Sequence, residues 1–318
     1  MKLALVGCGA VAEFFHLPAI ARTLRPDQVV LVDPDRSRAA ALARSLGRRA
    51  RVAADHRELL GAVDAAIVGV PNDLHEPVAR DLLEHGVHVL CEKPLASSAA
   101  AARRLAEAAA GGPVLAVGNF RRFFGSTRQV ERLLAGAAYG RPLRFAGEEG
   151  FVHTWDSVSG YWLDPVRSGG GVLIDLGSHV LDQLLLWFGG GLEVTRYEDN
   201  AYGGVECDCR VELGGEGVPA GTVELSRTRE LGSRIQIECE LGTIEAPLAR
   251  DAESPEADGG YGDAFAAQLQ NFLAAIEGKH PPAATAEDGV RVLELIETCY
   301  VHRRPLPEPW VFDTISLL

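Results

Sequence analysis

The apolar residues follow two different patterns along the chain. As far as Val117, short strand-like runs alternate with segments whose apolar positions recur every three or four residues. The runs are Lys2 to Val6, Val29 to Val32, Arg51 to Ala53, Ala65 to Val70, Val87 to Cys91 and Val114 to Val117. Helical spacing fills Ala10 to Leu24, where Pro18 kinks or divides the helix, and Ser97 to Ala110. Strands alternating with helices predict a parallel sheet of βαβ units. Beyond a helix from about Ser126 to Leu134 the pattern changes. Leu143 to Val152, Glu193 to Glu198, Val205 to Leu213, Gly221 to Thr228, Ser233 to Glu240 and Gly242 to Ala246 read as strands. Val223-Glu224-Leu225-Ser226-Arg227 and Ile235-Gln236-Ile237-Glu238 alternate, as strands with one wet face do. Two helices follow, Asp263 to Gly278 and Ala286 to Arg303, and Pro305-Leu306-Pro307 begins an extended tail. The chain therefore reads as α/β, with a nucleotide-binding domain over residues 1–119 and a second α/β domain over 120–318.

Composition narrows the function. A chain of 318 residues with 47% hydrophobic and 24% charged residues is an ordinary globular composition. The net charge of −13 repels a phosphate backbone or an anionic bilayer, so neither nucleic acid nor membrane is expected as a partner. The apolar run Leu3 to Val6 is too short for a signal-peptide core, despite the cysteine that follows. The six cysteines form no C-x-x-C pair and no metal-like spacing, so a reducing, cytoplasmic setting without a metal is expected.

Gly7-Cys8-Gly9-Ala10-Val11-Ala12 follows the first strand directly and opens a helix. This is the context a dinucleotide-binding G-x-G-x-x-A turn requires. Gly7 permits the turn, Gly9 admits a pyrophosphate to the backbone, and Ala10 and Val11 begin the helix whose N-terminus faces the anion. Asp33 ends the second strand, 24 positions past Gly9, where an acid can bond the ribose hydroxyls of NAD. Its carboxylate disfavours a 2′-phosphate. Alternatively, Asp33 simply begins the Asp33-Pro34-Asp35 turn, and Arg36, Ser37 and Arg38 behind it leave NADP open. Ligands of parallel sheets lie beyond the carboxyl ends of the strands. Two such ends carry chemistry: Val70-Pro71-Asn72 with His75, and Cys91-Glu92-Lys93-Pro94. Lys93 could present an ammonium to a substrate oxygen, or be a solvated turn lysine.

Gly169-Gly170-Gly171 is a tight turn, and the stripe Val172, Leu173, Leu176, Val180, Leu184 and Trp187 marks a helix starting at or just after Gly171. Asp175 and His179 lie four apart on it, which sets a carboxylate beside an imidazole, the pairing of a general base or merely of a helix surface. The preceding segment, Phe151 to Ser168, offers Trp155, Tyr161 and Arg167, aromatic faces and polar tips suited to a sugar ring or to packing on the sheet. Arg121 and Arg122 open the second domain, with Arg122 a candidate substrate contact.

Together the glycine turn, Pro71-Asn72 with His75, Glu92-Lys93-Pro94, Gly118-Asn119-Phe120-Arg121-Arg122-Phe123 and the triple glycine followed by Asp175 and His179 resemble the Gfo/Idh/MocA oxidoreductases. The resemblance spans nearly the whole chain. It implies a Rossmann domain, then an α/β domain with an open, mostly antiparallel sheet that supports homo-oligomers. It also implies catalytic positions at Lys93, Asp175 and His179, and a cofactor crevice lined by Pro71, Asn72, His75, Glu92 and Lys93. On this reading the nicotinamide faces the helix after Gly171, and His179 and Lys93 converge beside it on a sugar, cyclitol or nucleotide-linked sugar. Two rivals stand: a glycosidase that oxidises its sugar transiently with unconsumed NAD, and a non-catalytic dinucleotide sensor.

Overall fold

The computed structural model describes residues 1–47, 50–152, 160–201, 204–249 and 260–307. They form two compact units. Met1–Gly125 with the described part of Ala252–Val290 makes the first, and the described parts of Ser126–Asp251 and Arg291–Leu318 make the second.

In the first unit β1 (Leu3–Val6), β2 (Val29–Val32), β3 (Arg51–Ala53), β4 (Ala65–Val68), β5 (His88–Cys91) and β6 (Leu115–Val117) form a parallel sheet of order β3-β2-β1-β4-β5-β6. That is the doubly wound order with its switch point at β1/β4. β1, β2 and β4 are buried at every position, as strands covered on both faces must be.

The first unit runs past the expected boundary at 119/120 as far as Gly125, and it takes in a later segment as well. The helix Tyr261–Ile276 belongs to the first unit, where its aromatic face packs. Phe265 stacks on Phe15 and Phe120 with ring centroids 5.0 and 4.6 Å apart, and Tyr261 meets Phe124 edge to face at 5.7 Å. Such pairs contribute about 0.5–1.5 kcal/mol each beyond the area they bury.

Ala10 to Leu24 is helical as expected, but Pro18 leaves its mark upstream. A π-helical turn over Ala12–His16 precedes the α-helix Leu17–Thr23, with Leu17 N–H donating to the Ala12 carbonyl five residues back. The wider turn accommodates a proline that can neither donate nor tolerate the carbonyl four residues behind it.

The second unit carries β7 (Pro142–Gly150), β8 (Glu193–Asp199), β9 (Asp208–Gly214), β10 (Ala220–Ser226), β11 (Arg234–Cys239), β12 (Gly242–Pro247) and β13 (Arg303–Pro305) in the order β12-β11-β7-β10-β9-β8-β13. Its pairs are antiparallel except β7/β10 and β8/β13. One face is wet and laced by ion pairs such as Arg144–Glu238 and Arg234–Glu148. The other packs on the helix Ser178–Phe188, where Phe188 stacks on Phe145 at 5.3 Å. The stretch Pro165–Phe188 is long and apolar enough to cross a membrane by length and composition, and 78% of its most apolar window is buried, as in a core helix. β13 was not foreseen. Arg303-Arg304-Pro305 becomes an edge strand because Arg303 Nε reaches Asp199 at 2.6 Å and Leu306 N–H donates to the Asp199 carbonyl at 2.9 Å.

Candidate active site

In the first unit the glycine turn is shaped as a dinucleotide site requires. Gly7 has φ +94°, and a Cβ there would lie 2.4 Å from the Gly69 carbonyl oxygen, so β1 and β4 can close only around a glycine. Gly9 is the reverse case. A Cβ there would find nothing within 4 Å, which leaves the main chain open to an approaching pyrophosphate. Ala10 and Val11 are exposed at the start of the helix, and Ala12 is buried beneath it.

Asp33 begins the turn that follows β2 and also braces the glycine loop. One carboxylate oxygen accepts the Cys8 N–H at 2.9 Å and the other accepts the Asp35 N–H at 2.9 Å. Arg38 lies 3.7 Å from Asp33 and 3.6 Å from Asp35, its charge already opposed by two carboxylates. Burial, reinforced by the Asp33 charge, pushes the Cys8 thiol up to about 12, so it is no thiolate nucleophile at neutral pH.

At the neighbouring strand ends, Pro71 precedes the short 3-10 turn Asn72–Leu74, where Pro71 and Asn72 are half-buried. Two residues expected to contact the cofactor are committed elsewhere. His75 is 1% exposed, with Nδ1 at 2.7 Å from the Pro94 carbonyl and Nε2 at 2.9 Å from the Val70 carbonyl, so it ties the loops after β4 and β5 together. Burial holds its pKa below the usual histidine value, although both carbonyls favour the charged ring. Glu92 is also buried, its carboxylate receiving His16 Nε2 at 2.7 Å and the Lys93 N–H at 3.2 Å. Lys93 itself is half-buried at the carboxyl end of β5, joined to Pro94 by a cis peptide bond. Of the 31 basic side chains only Lys2, Lys93 and Lys279 are lysines, so this position departs from the chain's strong preference for arginine.

Arg122 is a correction too. Its guanidinium meets Asp288 at 3.2 Å through each terminal nitrogen and donates to the Ala283 carbonyl at 2.5 Å. Burial alone would raise the Asp288 carboxyl, but Arg122 and the Thr285 bonds hold it below its ordinary value. Arg122, expected as a substrate contact, is thus engaged by Asp288 and Ala283 and anchors the start of the helix Ala286–Val301.

In the second unit the triple glycine is a site of close approach as well as a turn. Gly169 and Gly170 have positive φ, and Cβ atoms at Gly170 and Gly171 would collide with the Tyr300 hydroxyl and the Glu206 carbonyl. Glu206 is buried, and one oxygen accepts from Gly171 N–H at 2.9 Å, Leu173 N–H at 3.0 Å and Tyr300 O–H at 2.8 Å. Burial raises its pKa and these donors oppose the rise. The helix after Gly171 thus begins on the protein's own carboxylate, which takes up the Gly171 and Leu173 amides.

That helix opens with a second π-helical turn, Leu173–Gly177, before Ser178–Phe188. Asp175 lies in the turn and His179, 5% exposed, just past it. The Asp175 carboxylate is ion-paired with Arg227, the residue after β10, whose guanidinium also lies 5.4 Å from the Trp162 ring centroid. Burial lowers the Arg227 pKa to about 10, so it remains a cation at neutral pH. Sequence reasoning missed this arginine. Its signal was present, because the alternation Val223, Leu225, Arg227 places a charge on an apolar face. Tyr161 and Arg167 are brought together, the guanidinium 6.0 Å from the ring centroid, while Trp155 lies outside the described residues. Among the described residues no group of three or more His, Cys, Asp or Glu could hold a metal.

Comparison with known proteins agrees with this geometry. Residues 1–119 match the family model for the oxidoreductase family NAD-binding Rossmann fold. Residues 127–245 match the GFO/IDH/MocA C-terminal domain, and 221–305 the oxidoreductase family C-terminal alpha/beta domain. The 1,5-anhydro-D-fructose reductase of Ensifer adhaerens is 28% identical over 310 residues, covering 90% of this chain and 91% of that protein. Inositol 2-dehydrogenase 2 of Saccharopolyspora erythraea is 27% identical over 336 residues, covering 94% and 92%. The fold matches that of GenD2 from gentamicin A biosynthesis, solved with NAD, at a TM-score of 0.81 and 24% identity over 95% of this chain and 93% of that one. The first unit is thus an NAD-binding Rossmann domain, and the chain belongs to the Gfo/Idh/MocA oxidoreductase family.

Proposed function

We propose that this chain oxidises a secondary alcohol of a sugar or cyclitol, or reduces the corresponding ketone, with NAD preferred over NADP. The observation that carries the reading is the lysine at the carboxyl end of β5, on the same edge of the parallel sheet as a glycine turn whose Gly9 is open to a diphosphate. The fructose-derivative reductase and the inositol dehydrogenase support the substrate class. Bound at these strand ends, NAD supplies the hydride acceptor.

The residues divide the remaining work. His179 takes the hydroxyl proton during oxidation and returns it during reduction. Asp175, ion-paired with Arg227, places negative charge on the same helix and favours the imidazolium that results. Lys93 stabilises charge on the substrate oxygen. Tyr161 and Arg167 give an aromatic face and a donor suited to a sugar ring. Asp33 accepts from a ribose hydroxyl with its remaining lone pairs and repels a 2′-phosphate.

A panel of sugars, cyclitols and nucleotide sugars, mixed with the full chain and NAD and followed by NADH absorbance, tests the reading. At least one sugar or cyclitol is expected to give steady NADH formation. Cleavage of a glycoside without NADH, or NAD binding with no turnover across the panel, would reject it.

A further inference from the structure

The Glu92-Lys93-Pro94 segment is held by a residue the sequence patterns do not single out. His16 ends the π-helical turn Ala12–His16 and is 1% exposed. Its Nε2 lies 2.7 Å from Glu92 Oε1, and since a carboxylate oxygen can only accept, His16 is the donor. The ring stands edge-on to Phe265, centroids 4.9 Å apart at 84°, which fixes its plane. Glu92 then spends its second oxygen on the Lys93 main-chain N–H at 3.2 Å. Space for this arrangement comes from Gly118, where a Cβ would fall 2.9 Å from the Glu92 Cα and Cδ and 3.0 Å from Oε1.

A buried imidazole–carboxylate pair is not the most stable filling for this position. Apolar side chains of similar volume are often neutral or better once desolvation is counted. The pair's product is a Glu92 side chain folded back onto the residue that follows it. The sheet does not need that contact to pair, because β5 ends at Cys91.

We propose that His16 is a positioning residue for the Lys93 ammonium, acting through Glu92. His16 orients the carboxylate and the carboxylate pins the Lys93 main chain. The lysine side chain therefore starts from one fixed backbone position with one negative charge held beside it. The proposal rests on the reading of Lys93 as the group that meets the substrate oxygen.

The scarcity of lysine makes a direct test possible. Reductive methylation of the full chain with 13C-formaldehyde labels Lys2, Lys93, Lys279 and the N-terminus, and NMR follows the titration of each with NADH bound. In His16→Leu the Lys93 midpoint is expected to fall by about one pH unit, the size of a charge interaction over several ångströms at intermediate dielectric. Lys2 and Lys279 should stay in place. His16→Gln, which keeps an N–H donor for Glu92, should return Lys93 to the native midpoint. Should the leucine variant fail to fold, Glu92→Gln, which removes the charge while keeping the shape, is expected to produce the same fall. An unmoved Lys93 midpoint in a folded His16→Leu or Glu92→Gln variant would overturn the proposal, even if the melting temperature drops, because a purely structural histidine leaves that midpoint alone. The two readings fail separately. Turnover on the substrate panel with a Lys93 that ignores His16 rejects the positioning role alone, whereas a responsive Lys93 with no turnover rejects the proposed reaction alone.

Discussion

Replacing Lys93 with methionine is expected to lower kcat by about a hundredfold or more, the usual scale for losing an electrostatic or proton-transferring group. His179→Asn should cost a similar factor. NADH affinity, read by fluorescence titration, should stay within about twofold of native in both. The reasoning is positional. On the proposed reading the cofactor is held by the glycine turn and by Asp33, whose carboxylate is fixed by the Cys8 and Asp35 amides, and neither substitution touches them. Methionine keeps the length of the lysine stem and the bonds of the Glu92 and Pro94 main chain, but carries no charge. His179 sits just past a π-helical turn braced by Arg227 through Asp175, so asparagine can replace the ring without moving the helix. Native turnover in both variants would remove these residues from the chemistry.

The largest effect on stability is expected at Gly171. A Cβ there would overlap the Glu206 carbonyl oxygen and crowd its nitrogen at 2.7 Å, all main-chain atoms that cannot rotate away. Making room means separating the helix start from Glu206, which breaks the amide bonds of Gly171 and Leu173 to a buried carboxylate. Overpacking costs about 1–3 kcal/mol and each unsatisfied buried group about 1–3 kcal/mol more. Gly171→Ala should therefore destabilise the chain by about 3 kcal/mol or more in urea unfolding, with loss of soluble protein as the extreme. By contrast, Gly190 has nothing within 4 Å of its would-be Cβ and serves as the control, where alanine should change stability by less than about 1 kcal/mol. Equal unfolding midpoints for the two alanine variants would show that the close approach is not what requires glycine at 171.

Much of this molecule is legible in its sequence, and the exceptions share a cause. The β1, β2 and β4 strands are visible because burial on both faces leaves only apolar residues. The alternation of β11 is visible because one of its faces is wet. Local turn chemistry at Gly7 and Gly169 can likewise be read from glycine alone. What cannot be read locally is the identity of a polar group's partner. His75 and Arg122 have residue types suited to ligands, and they bind two carbonyls and Asp288 instead. The triple glycine reads as a turn, while the need for its second and third members comes from Tyr300 and Glu206, far along the chain. β13 forms because Arg303 finds Asp199, a pairing that no periodicity announces. His16 and Arg227 were nonetheless detectable in principle. Each interrupts an apolar stripe with an ionisable side chain, and a buried charge or imidazole in such a stripe requires a partner.

The central claim is that a carbon-bound hydrogen of the substrate travels to the cofactor. It is tested by giving the full chain NAD and an alcohol from the panel deuterated at its carbinol carbons, then analysing the nicotinamide by mass spectrometry. Deuterium at the C4 position of the reduced ring, one atom for each ketone formed, is the expected result. Product formed while the cofactor gains no deuterium and remains oxidised would contradict the account.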